Sequence, residues 1–265
     1  MDLFHLVTRA FEKTEFKTVD TGGEKPRVED GRLFVPPAVL RRAAEEGFRE
    51  LSFFFRESHL RLLAERLEER GLSANDRLTI KLLLKNAIIA AGGELALCQD
   101  TGTAVIYGWK EEGVFTGSAD MEEIEAGVAA AYKKNHLRSS QTGAYSFFDE
   151  FNTGDNLPAQ IHIESVPSSS LLRFAQRYRF LFVAKGGGSS NKTSLFPMTK
   201  ALLEKEAFEK FLEEKIKALG TAACPPYRLA VVVGGTSPEL NLEVLKLATA
   251  EVLDAAPFFA EGEKP

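Results

Sequence analysis

The chain has 265 residues, of which 44% are hydrophobic and 27% charged, and its formal net charge is -5. This composition is typical of a globular protein with a substantial core, and an acidic balance without a basic block argues against a nucleic-acid partner. The sequence contains no apolar stretch near the roughly 18 residues that span a bilayer. Its start, Met1-Asp2-Leu3-Phe4-His5, lacks the features of a signal peptide. We therefore expect a cytoplasmic protein with no membrane partner.

The first hundred residues are predicted to be mainly helical. Pro36-Pro37 precede a helical pattern that includes Leu40, and proline is favoured in the first turn of a helix. A second helix is predicted from Ser58, a good N-cap, to Gly71, which suits the position just beyond a helix C-terminus.

A third helix is predicted to be capped by Asn75 or Asp76 and to stop at Gly92-Gly93. Its pattern is strongly apolar, and we expect its large aliphatic residues to be buried in the core. These residues are Leu78, Leu82, Ile88 and Ile89.

Beyond residue 98, strands alternate with helices. Thr103–Trp109 is short, β-branched and aromatic, which predicts a strand. Asp120 with Glu123 resembles a capping arrangement at the start of a helix. Two further strands are predicted at Gln160–Val166 and Phe180–Ala184.

The last third of the chain predicts a helix, a strand and a helix. Lys200–Leu219 has the pattern of a helix with a charged outer face. The continuous apolar run Leu229–Val233 is typical of a strand covered on both faces. Ser237 and Pro238 start the last helix, which is expected to continue to about Leu253.

Together these elements predict a mixed α/β fold, in which a helical N-terminal region is followed by a sheet flanked by helices. Residues 1–95 form the mainly helical region and residues 96–265 form the α/β region. We expect both to be parts of one domain.

The two cysteines of the chain lie in segments rich in turn-forming residues. Cys98 opens Cys98-Gln99-Asp100-Thr101-Gly102-Thr103-Ala104, and Cys224 lies in Gly220-Thr221-Ala222-Ala223-Cys224-Pro225-Pro226-Tyr227. A buried structural thiol is normally found in an apolar run, whereas tightly bent backbone around a thiolate is typical of metal and iron–sulfur sites. The cysteines alone leave both interpretations open.

Two glycine-rich segments could bind an anion. Lys185-Gly186-Gly187-Gly188-Ser189-Ser190-Asn191-Lys192-Thr193 offers backbone N–H, hydroxyl, amide and ammonium donors, but it lacks P-loop spacing and could be a plain loop. Gly234-Gly235-Thr236-Ser237 precedes a predicted helix, where unpaired N–H groups attract anions; the alternative is a tight turn capped by Ser237.

Other candidate residues are less specific. Asn152-Thr153-Gly154-Asp155-Asn156-Leu157-Pro158-Ala159 could orient a ligand or only shape a loop. Arg138 could interact with a helix C-terminus or bind a carboxylate with its planar fork. The four histidines have no i, i+4 pair, so the sequence does not predict a zinc site.

Read together, these segments resemble the alpha portion of the iron–sulfur class I fumarate hydratases and the related tartrate dehydratases. The matching segments occur in order along nearly the whole chain: Cys98 to Ala104, Asn152 to Ala159, Ala184 to Lys192, Gly220 to Tyr227, and Val233 to Ser237.

The resemblance implies a hydro-lyase that interconverts fumarate and (S)-malate. In that family a [4Fe-4S] cluster is held by three cysteines, and Cys98 and Cys224 would be two of them. The resemblance places four further residues in the pocket for a small dicarboxylate substrate: Gln99, Asp100, Arg138 and Gly188.

The chain also departs from the family pattern. In the family the third cysteine lies further downstream than these residues, and a C-terminal domain or a separate beta subunit supplies the general base. The catalytic base is therefore expected outside these 265 residues, and the isolated chain is expected to be inactive. The resemblance also implies that the complete enzyme is a homodimer. The alternatives are a dehydratase for tartrate or another 2-hydroxydicarboxylate, and a non-catalytic subunit or scaffold without a cluster.

Overall fold

The computed structural model describes residues 15–117, 119–168 and 176–255, which form two compact units. The first unit comprises residues 19–187, and the second takes in the described residues from 188 onward together with residues 15–18. The elements confirm the mixed α/β class. The predicted division of one domain at residue 95 stays a prediction. The predicted absence of a signal peptide concerns Met1–His5, and these residues lie outside the described ones.

Within the described residues, the first unit contains four helices and three small sheets. Its helices are α1 (Pro37–Phe53), α2 (Glu57–Leu67), α3 (Ala74–Ala90) and α4 (Asp120–Lys134). Its strands are β1 (Arg27–Glu29), β2 (Arg32–Phe34), β3 (Thr103–Glu111), β4 (Val114–Phe115), β5 (Thr142–Ala144), β6 (Glu150–Asn152), β7 (Gln160–Val166) and β8 (Tyr178–Lys185). The predicted strands of this region, now β3, β7 and β8, are confirmed.

The central sheet has the order β7-β3-β8, with β7 parallel and β8 antiparallel to β3. The register pairs Val105 with Gln160 and Thr103 with Lys185. As a result, β3 and β7 begin at the same edge of the sheet at which β8 ends. The segments before β3, before β7 and after β8 therefore converge at this edge, and all three were singled out in the sequence.

The hydrophobic core lies between this sheet and the pair of helices α1 and α4. Phe48 of α1 is fully buried, and its ring centroid lies 5.7 Å from that of Phe182 and 6.4 Å from that of Tyr132. Gly47 allows this approach, because a Cβ there would lie 2.6 Å from a ring carbon of Phe182. The cluster further includes Leu40, Ala44, Ala104, Ile106, Ile124, Val128 and Ala131.

The helices of the first unit are present as predicted, but several caps differ. α1 begins at Pro37 as expected. The N-cap of α3 is Ser73, whose Oγ accepts from the N–H of Asp76 at 3.1 Å, so the expected cap at Asn75 or Asp76 is wrong. α2 begins at Glu57 after Arg56 rather than at Ser58.

The expected cap at Asp120 and Glu123 is also wrong. α4 follows Ala119, which has a φ of 51° and makes no side-chain cap bond. The two carboxylates bind cations instead: Asp120 pairs with Lys110 and Glu123 with Arg41, each at 2.8 Å. Ion pairs across the fold thus replace the local capping interaction.

The aliphatic residues of α3 that were expected to be buried are exposed. These are Leu78, Leu82, Ile88 and Ile89, whereas the buried residues of this helix are Ile80, Ala87 and Ala90. The helix is apolar around most of its circumference, so periodicity did not indicate which face packs against this chain.

The second unit is mainly helical in its described part. The one-turn helix α5 (Gly187–Ser190) contains the residues at which the chain passes from the first unit to the second. Helix α6 (Lys205–Ala218) follows a 3-10 turn at Lys200–Leu203. Helix α7 (Pro238–Thr249) precedes a second 3-10 turn at Val252–Ala255. The predicted buried strand Leu229–Val233 is wrong: within the described ranges this run pairs with no strand, and alternate residues are exposed. Its extended, apolar pattern lacks the ladder partners that a strand requires.

None of the helices in the described residues is long and apolar enough to cross a membrane.

Candidate functional site

The segment from Cys98 to Ala104 leads into β3 and is held close to the end of β8. Cys98 and Gln99 are exposed, and Asp100 is half-buried. Gly102 has a φ of +79°, and a Cβ at this position would lie 2.6 Å from the carbonyl carbon of Lys185. Both the backbone conformation and this close approach require glycine, which explains why the segment contains one here.

Asp100 holds the glycine-rich segment that follows β8. Its Oδ2 accepts a hydrogen bond from the backbone N–H of Gly187 at 2.8 Å, and a Cβ on Gly186 would lie 2.8 Å from the same oxygen. The backbone of this segment thus binds a carboxylate of the chain itself, and its binding of an anionic ligand stays a prediction. The second oxygen, Oδ1, accepts no hydrogen bond from the described residues.

Tyr132 and Thr101 tie the Cys98 segment to the chain that follows α4. The Tyr132 hydroxyl lies 2.9 Å from the carbonyl oxygen of Thr101 and 2.8 Å from that of Gly102, to which it donates. Burial raises the pKa of Tyr132 to about 12, so the hydroxyl keeps its proton at neutral pH. Thr101 Oγ1 donates in turn to the carbonyl oxygen of Arg138 at 2.6 Å.

Asn156 is a central residue of this arrangement, although the sequence indicated it only as one member of the segment Asn152–Ala159. The Asn156 side chain is fully buried. Its Oδ1 accepts hydrogen bonds from the N–H groups of Ser140 and Gln141 at 2.9 and 3.0 Å. Its Nδ2 donates a hydrogen bond to the carbonyl oxygen of Gly102 at 3.0 Å. Its φ of 63° lies in the left-handed region, which asparagine tolerates better than most residues. That preference, within a turn-rich segment, is the signal that could have identified it.

Arg138 lies beyond the helix that it was expected to follow closely. α4 ends at Lys134, and Arg138 belongs to the next segment, whose backbone is held by Thr101 and Asn156. Its side chain is exposed, and no carboxylate or carbonyl of the described residues binds its guanidinium. Arg138 thus makes no hydrogen bond to the helix C-terminus within the described residues, and its two predicted roles stay predictions.

Cys224 lies at a turn of the second unit. Its thiol is exposed, its φ is 59°, and its N–H donates to the carbonyl of Thr221 at 3.2 Å. Tyr227 closes the turn: its hydroxyl accepts from the N–H of Ala223 at 3.2 Å and donates to the carbonyl of Gly220 at 2.8 Å. The turn therefore presents the thiol at the surface of the unit.

Gly188 lies against the residues that precede Cys224. A Cβ on Gly188 would be 3.5 Å from the carbonyl oxygen of Ala222 and from Cα of Ala223, which is ordinary van der Waals contact. The structure thus brings one of the predicted substrate residues, Gly188, next to the segment of one predicted cluster ligand.

The other glycine pair precedes α7. Ser237 Oγ accepts from the N–H of Leu240 at 3.2 Å and caps this helix, while Gly234 and Gly235 both have positive φ. The structure therefore shows a tight turn that is capped by Ser237, which is one of the two interpretations of this segment.

The donors suit an iron–sulfur cluster in type and exposure. Cys98 and Cys224 are both free and exposed, and thiolates are the usual ligands of such clusters. Among the described residues there is no group of three or more His, Cys, Asp and Glu side chains that could hold a metal ion. The two cysteines belong to different compact units, and their proximity stays a prediction.

Comparison with known proteins identifies the family of the chain. The model of the family described as fumarate hydratase (Fumerase) matches residues 41–261. The chain therefore belongs to the fumarate hydratase family.

Individual relatives lie within the same family. The chain is 45% identical over 251 residues to fumarate hydratase 2 of Leishmania major, covering 92% of this chain and 43% of that protein. It is 46% identical over 225 residues to the anaerobic class I fumarate hydratase of Escherichia coli strain K12, covering 85% of this chain and 40% of that protein. The chain thus spans about two fifths of the length of these relatives.

A more distant relative is a putative L(+)-tartrate dehydratase subunit alpha from Methanocaldococcus jannaschii. It is 30% identical over 210 residues, which are 77% of this chain and 69% of that subunit.

Proposed function

We propose that this chain is the cluster-binding and substrate-binding part of a hydro-lyase that interconverts fumarate and (S)-malate. The observation that carries the proposal is its identity of 45% and 46% to two fumarate hydratases, compared with 30% to the tartrate dehydratase subunit. The segments that converge at one edge of the central sheet support it, because the segment before β3 carries the predicted ligand Cys98 and the predicted substrate residues Gln99 and Asp100.

The proposed cofactor is a [4Fe-4S] cluster with Cys98 and Cys224 as two of its ligands. A third thiolate would come from outside these 265 residues, which contain two cysteines. When bound, an iron with an open coordination position supplies a Lewis acid that polarises an oxygen of the substrate. The exposure of both thiols supports this assignment.

The chain's own residues would bind and orient the dicarboxylate. Arg138 has an exposed guanidinium on a fixed backbone, which suits bidentate binding of a carboxylate. Asp100 is oriented through its Oδ2, so its Oδ1 can accept a hydrogen bond from a substrate hydroxyl or water. Gln99 and the backbone of Gly188 would complete the polar contacts.

A second protein region would supply the general base. The fumarate hydratases that match are more than twice as long as the matched segment, and the more distant relative is described as a subunit alpha. We therefore propose that a C-terminal domain or a beta subunit completes the site, in an assembly that is a homodimer.

The main alternative substrate is tartrate or a related 2-hydroxydicarboxylate. The specific observation in its favour is that the match covers 69% of the tartrate dehydratase subunit, a larger share than for either fumarate hydratase. Tartrate is the second candidate substrate, because the identity of the chain to the tartrate dehydratase subunit is lower than its identity to the fumarate hydratases. A subunit or scaffold without a cluster is the alternative of another class.

The test is a substrate comparison with the complete protein, including the regions that its relatives carry beyond this segment. After anaerobic reconstitution with iron and sulfide, we expect fumarate hydration with kcat/KM on the order of 10²-fold or more above that for tartrate dehydration, a ratio that positioned polar contacts can supply. Preferred turnover of tartrate would support the alternative substrate. Absence of iron–sulfur absorbance would support the scaffold and contradict the proposal.

Arg138→Lys separates the two roles first predicted for this residue. If the guanidinium binds a substrate carboxylate, the substitution lowers transition-state stabilisation by about 2–3 kcal/mol, since lysine lacks the bidentate fork. Arg61→Lys is the matched control, because Arg61 is exposed and forms only a surface ion pair with Glu57. An Arg138→Lys enzyme with unchanged kcat/KM would remove Arg138 from the site.

A further inference from the structure

The Tyr132 hydroxyl joins the core of the first unit to the segment that carries predicted site residues. The Tyr132 side chain is buried, and its ring centroid lies 6.4 Å from that of Phe48 in the core. The single hydroxyl hydrogen lies between two successive carbonyl oxygens, those of Thr101 and Gly102, which are 2.9 and 2.8 Å from the phenol oxygen. One core side chain therefore holds two consecutive residues of the backbone directly after Asp100.

The packing of helix α4 fixes the position of this hydroxyl. Gly127 of the same helix lies against α1, and a Cβ there would lie 2.3 Å from the carbonyl oxygen of Arg41 and 2.7 Å from Cβ of Ala44. Helices in such close contact cannot slide or rotate against each other without steric overlap. The Tyr132 hydroxyl is therefore a fixed point, whereas Gln99, close to the backbone it binds, is exposed.

Two connections lead from this fixed point to predicted substrate residues. Asp100 directly precedes Thr101, and its Oδ2 accepts a hydrogen bond from the N–H of Gly187 at 2.8 Å. The Thr101 hydroxyl donates to the carbonyl oxygen of Arg138 at 2.6 Å. A shift of the backbone at Thr101 would therefore move Asp100 and Arg138 together.

We propose that Tyr132 is a positioning residue for the reaction at this site, and that it acts through the backbone of Thr101 and Gly102 without contacting the substrate. This role rests on the proposed function, since Asp100 and Arg138 bind substrate only under that function. Asn156 Nδ2 donates to the same Gly102 carbonyl at 3.0 Å, so this oxygen stays paired when the phenol hydroxyl is removed. The segment can then shift while the unit remains folded.

Tyr132→Phe in the complete protein removes the hydroxyl and keeps the ring in the core. We expect kcat and kcat/KM for fumarate to fall by about 10–100-fold, because a small displacement of positioned groups reduces the rate by such factors. Tyr178→Phe is the matched control. Tyr178 is a partly buried tyrosine of the same unit whose hydroxyl donates to Asp120 at 3.0 Å, and it pairs with Lys110 at the opposite end of β3. This control should lower stability but leave kcat/KM unchanged.

Thr101→Val separates the two connections. It removes the hydroxyl that binds the Arg138 carbonyl and leaves the backbone contacts with Tyr132 in place. We expect KM to rise by about 10-fold with little change in kcat, the pattern for lost binding that ground state and transition state share. Thr101→Ser keeps the donor and should restore KM. A purely structural role would lower stability in these variants without dividing kcat from KM.

Amide hydrogen exchange tests the positioning without an assay of activity. In the complete protein, Tyr132→Phe should accelerate exchange of the Gly187 N–H by about 5-fold or more, because its acceptor on Asp100 is less firmly held. Tyr178→Phe should leave this exchange rate unchanged. Circular dichroism checks that each variant folds.

These measurements distinguish failure of the positioning role from failure of the proposed function. If the wild type prefers tartrate, the kinetic ratios are measured with tartrate; if it turns over neither substrate, hydrogen exchange alone decides. Unchanged exchange of the Gly187 N–H in Tyr132→Phe, or a kcat/KM equal to that of Tyr178→Phe, would overturn the positioning role. An unchanged KM in Thr101→Val would overturn the connection through Arg138.

Discussion

Asn156 joins three segments of the candidate site through one side chain. It binds the backbone of Ser140 and Gln141 on one side and that of Gly102 on the other, and it is fully buried. Local patterns cannot predict such a contact, because Asn156 and Gly102 are 54 residues apart in the sequence. The sequence indicated a loop here, and the loop's function as a connector became visible only in the structure.

We expect Asn156→Ala to lower the free energy of unfolding by about 2–4 kcal/mol, because it leaves buried N–H and C=O groups unpaired and places alanine at a positive φ. Chemical denaturation followed by the fluorescence of Trp109 measures this, since Trp109 is the one tryptophan of the chain and is buried in the first unit. Asn152→Ala, which removes exposed hydrogen bonds to Ser139, is the control and should cost less than about 1 kcal/mol. Equal losses would contradict this role of Asn156.

Asp100 has two roles that substitution can separate. Asp100→Asn keeps an oxygen for the N–H of Gly187, whereas Asp100→Ala removes it. If the carboxylate also contacts the substrate, Asp100→Asn in the complete enzyme should lower kcat by a factor of about 10²–10³ while stability changes little. Near-normal kcat in Asp100→Asn together with a low kcat in Asp100→Ala would show that Asp100 only positions the glycine-rich segment.

Among the elements, those with unambiguous patterns could be predicted and those that depend on distant partners could not. The run from Thr103 is β-branched and aromatic and forms β3 as expected. Leu229–Val233 has an equally apolar pattern but forms no strand in the described part of the chain. The cap of α3 was misassigned because three neighbouring residues, Ser73, Asn75 and Asp76, are all good caps.

The start of α4 is stabilised by a polar cluster that the sequence did not predict. Lys110 of β3 and Tyr178 of β8 bind the Oδ2 of Asp120 at 2.8 and 3.0 Å. Burial alone would raise the pKa of Asp120, but hydrogen bonds from Lys110 and its neighbours hold that pKa below its usual value. Burial and the Asp120 charge raise the pKa of Tyr178, which remains a donor.

This cluster predicts a pH-dependent contribution to stability. Because the folded pKa of Asp120 lies below its unfolded value of about 3.9, the contribution is complete above that pH and is lost as the pH falls through the folded pKa. We expect Asp120→Asn to be less stable than the wild type by about 1–3 kcal/mol at neutral pH, and the difference to narrow below about pH 4. Glu65→Gln, at an exposed site, should show no such trend. A pH-independent difference would contradict the assignment.

At the scale of the whole molecule, the chain contains the recognisable segments of its family, and the proposed active site draws on groups from a second region. It matches the family over residues 41–261 and spans about two fifths of the fumarate hydratases it resembles. Its motifs could be identified from sequence because each requires glycine, proline or cysteine at fixed positions. The surfaces that meet other regions could not, since apolar patterns do not indicate which protein covers them.

We expect the 265-residue chain alone to fold but not to hydrate fumarate. It contains two cysteines, whereas the proposed cluster requires a third ligand. The proposed base is also supplied by another region, and loss of a positioned base typically costs a factor of about 10²–10⁴. The measurement is an anaerobic hydration assay after reconstitution with iron and sulfide, with circular dichroism as the control for folding and the complete protein as the positive control. Fumarate hydration by the 265-residue chain at a rate near that of the complete protein would show that every essential group lies within these residues, and that the proposed division between this chain and a second region is wrong.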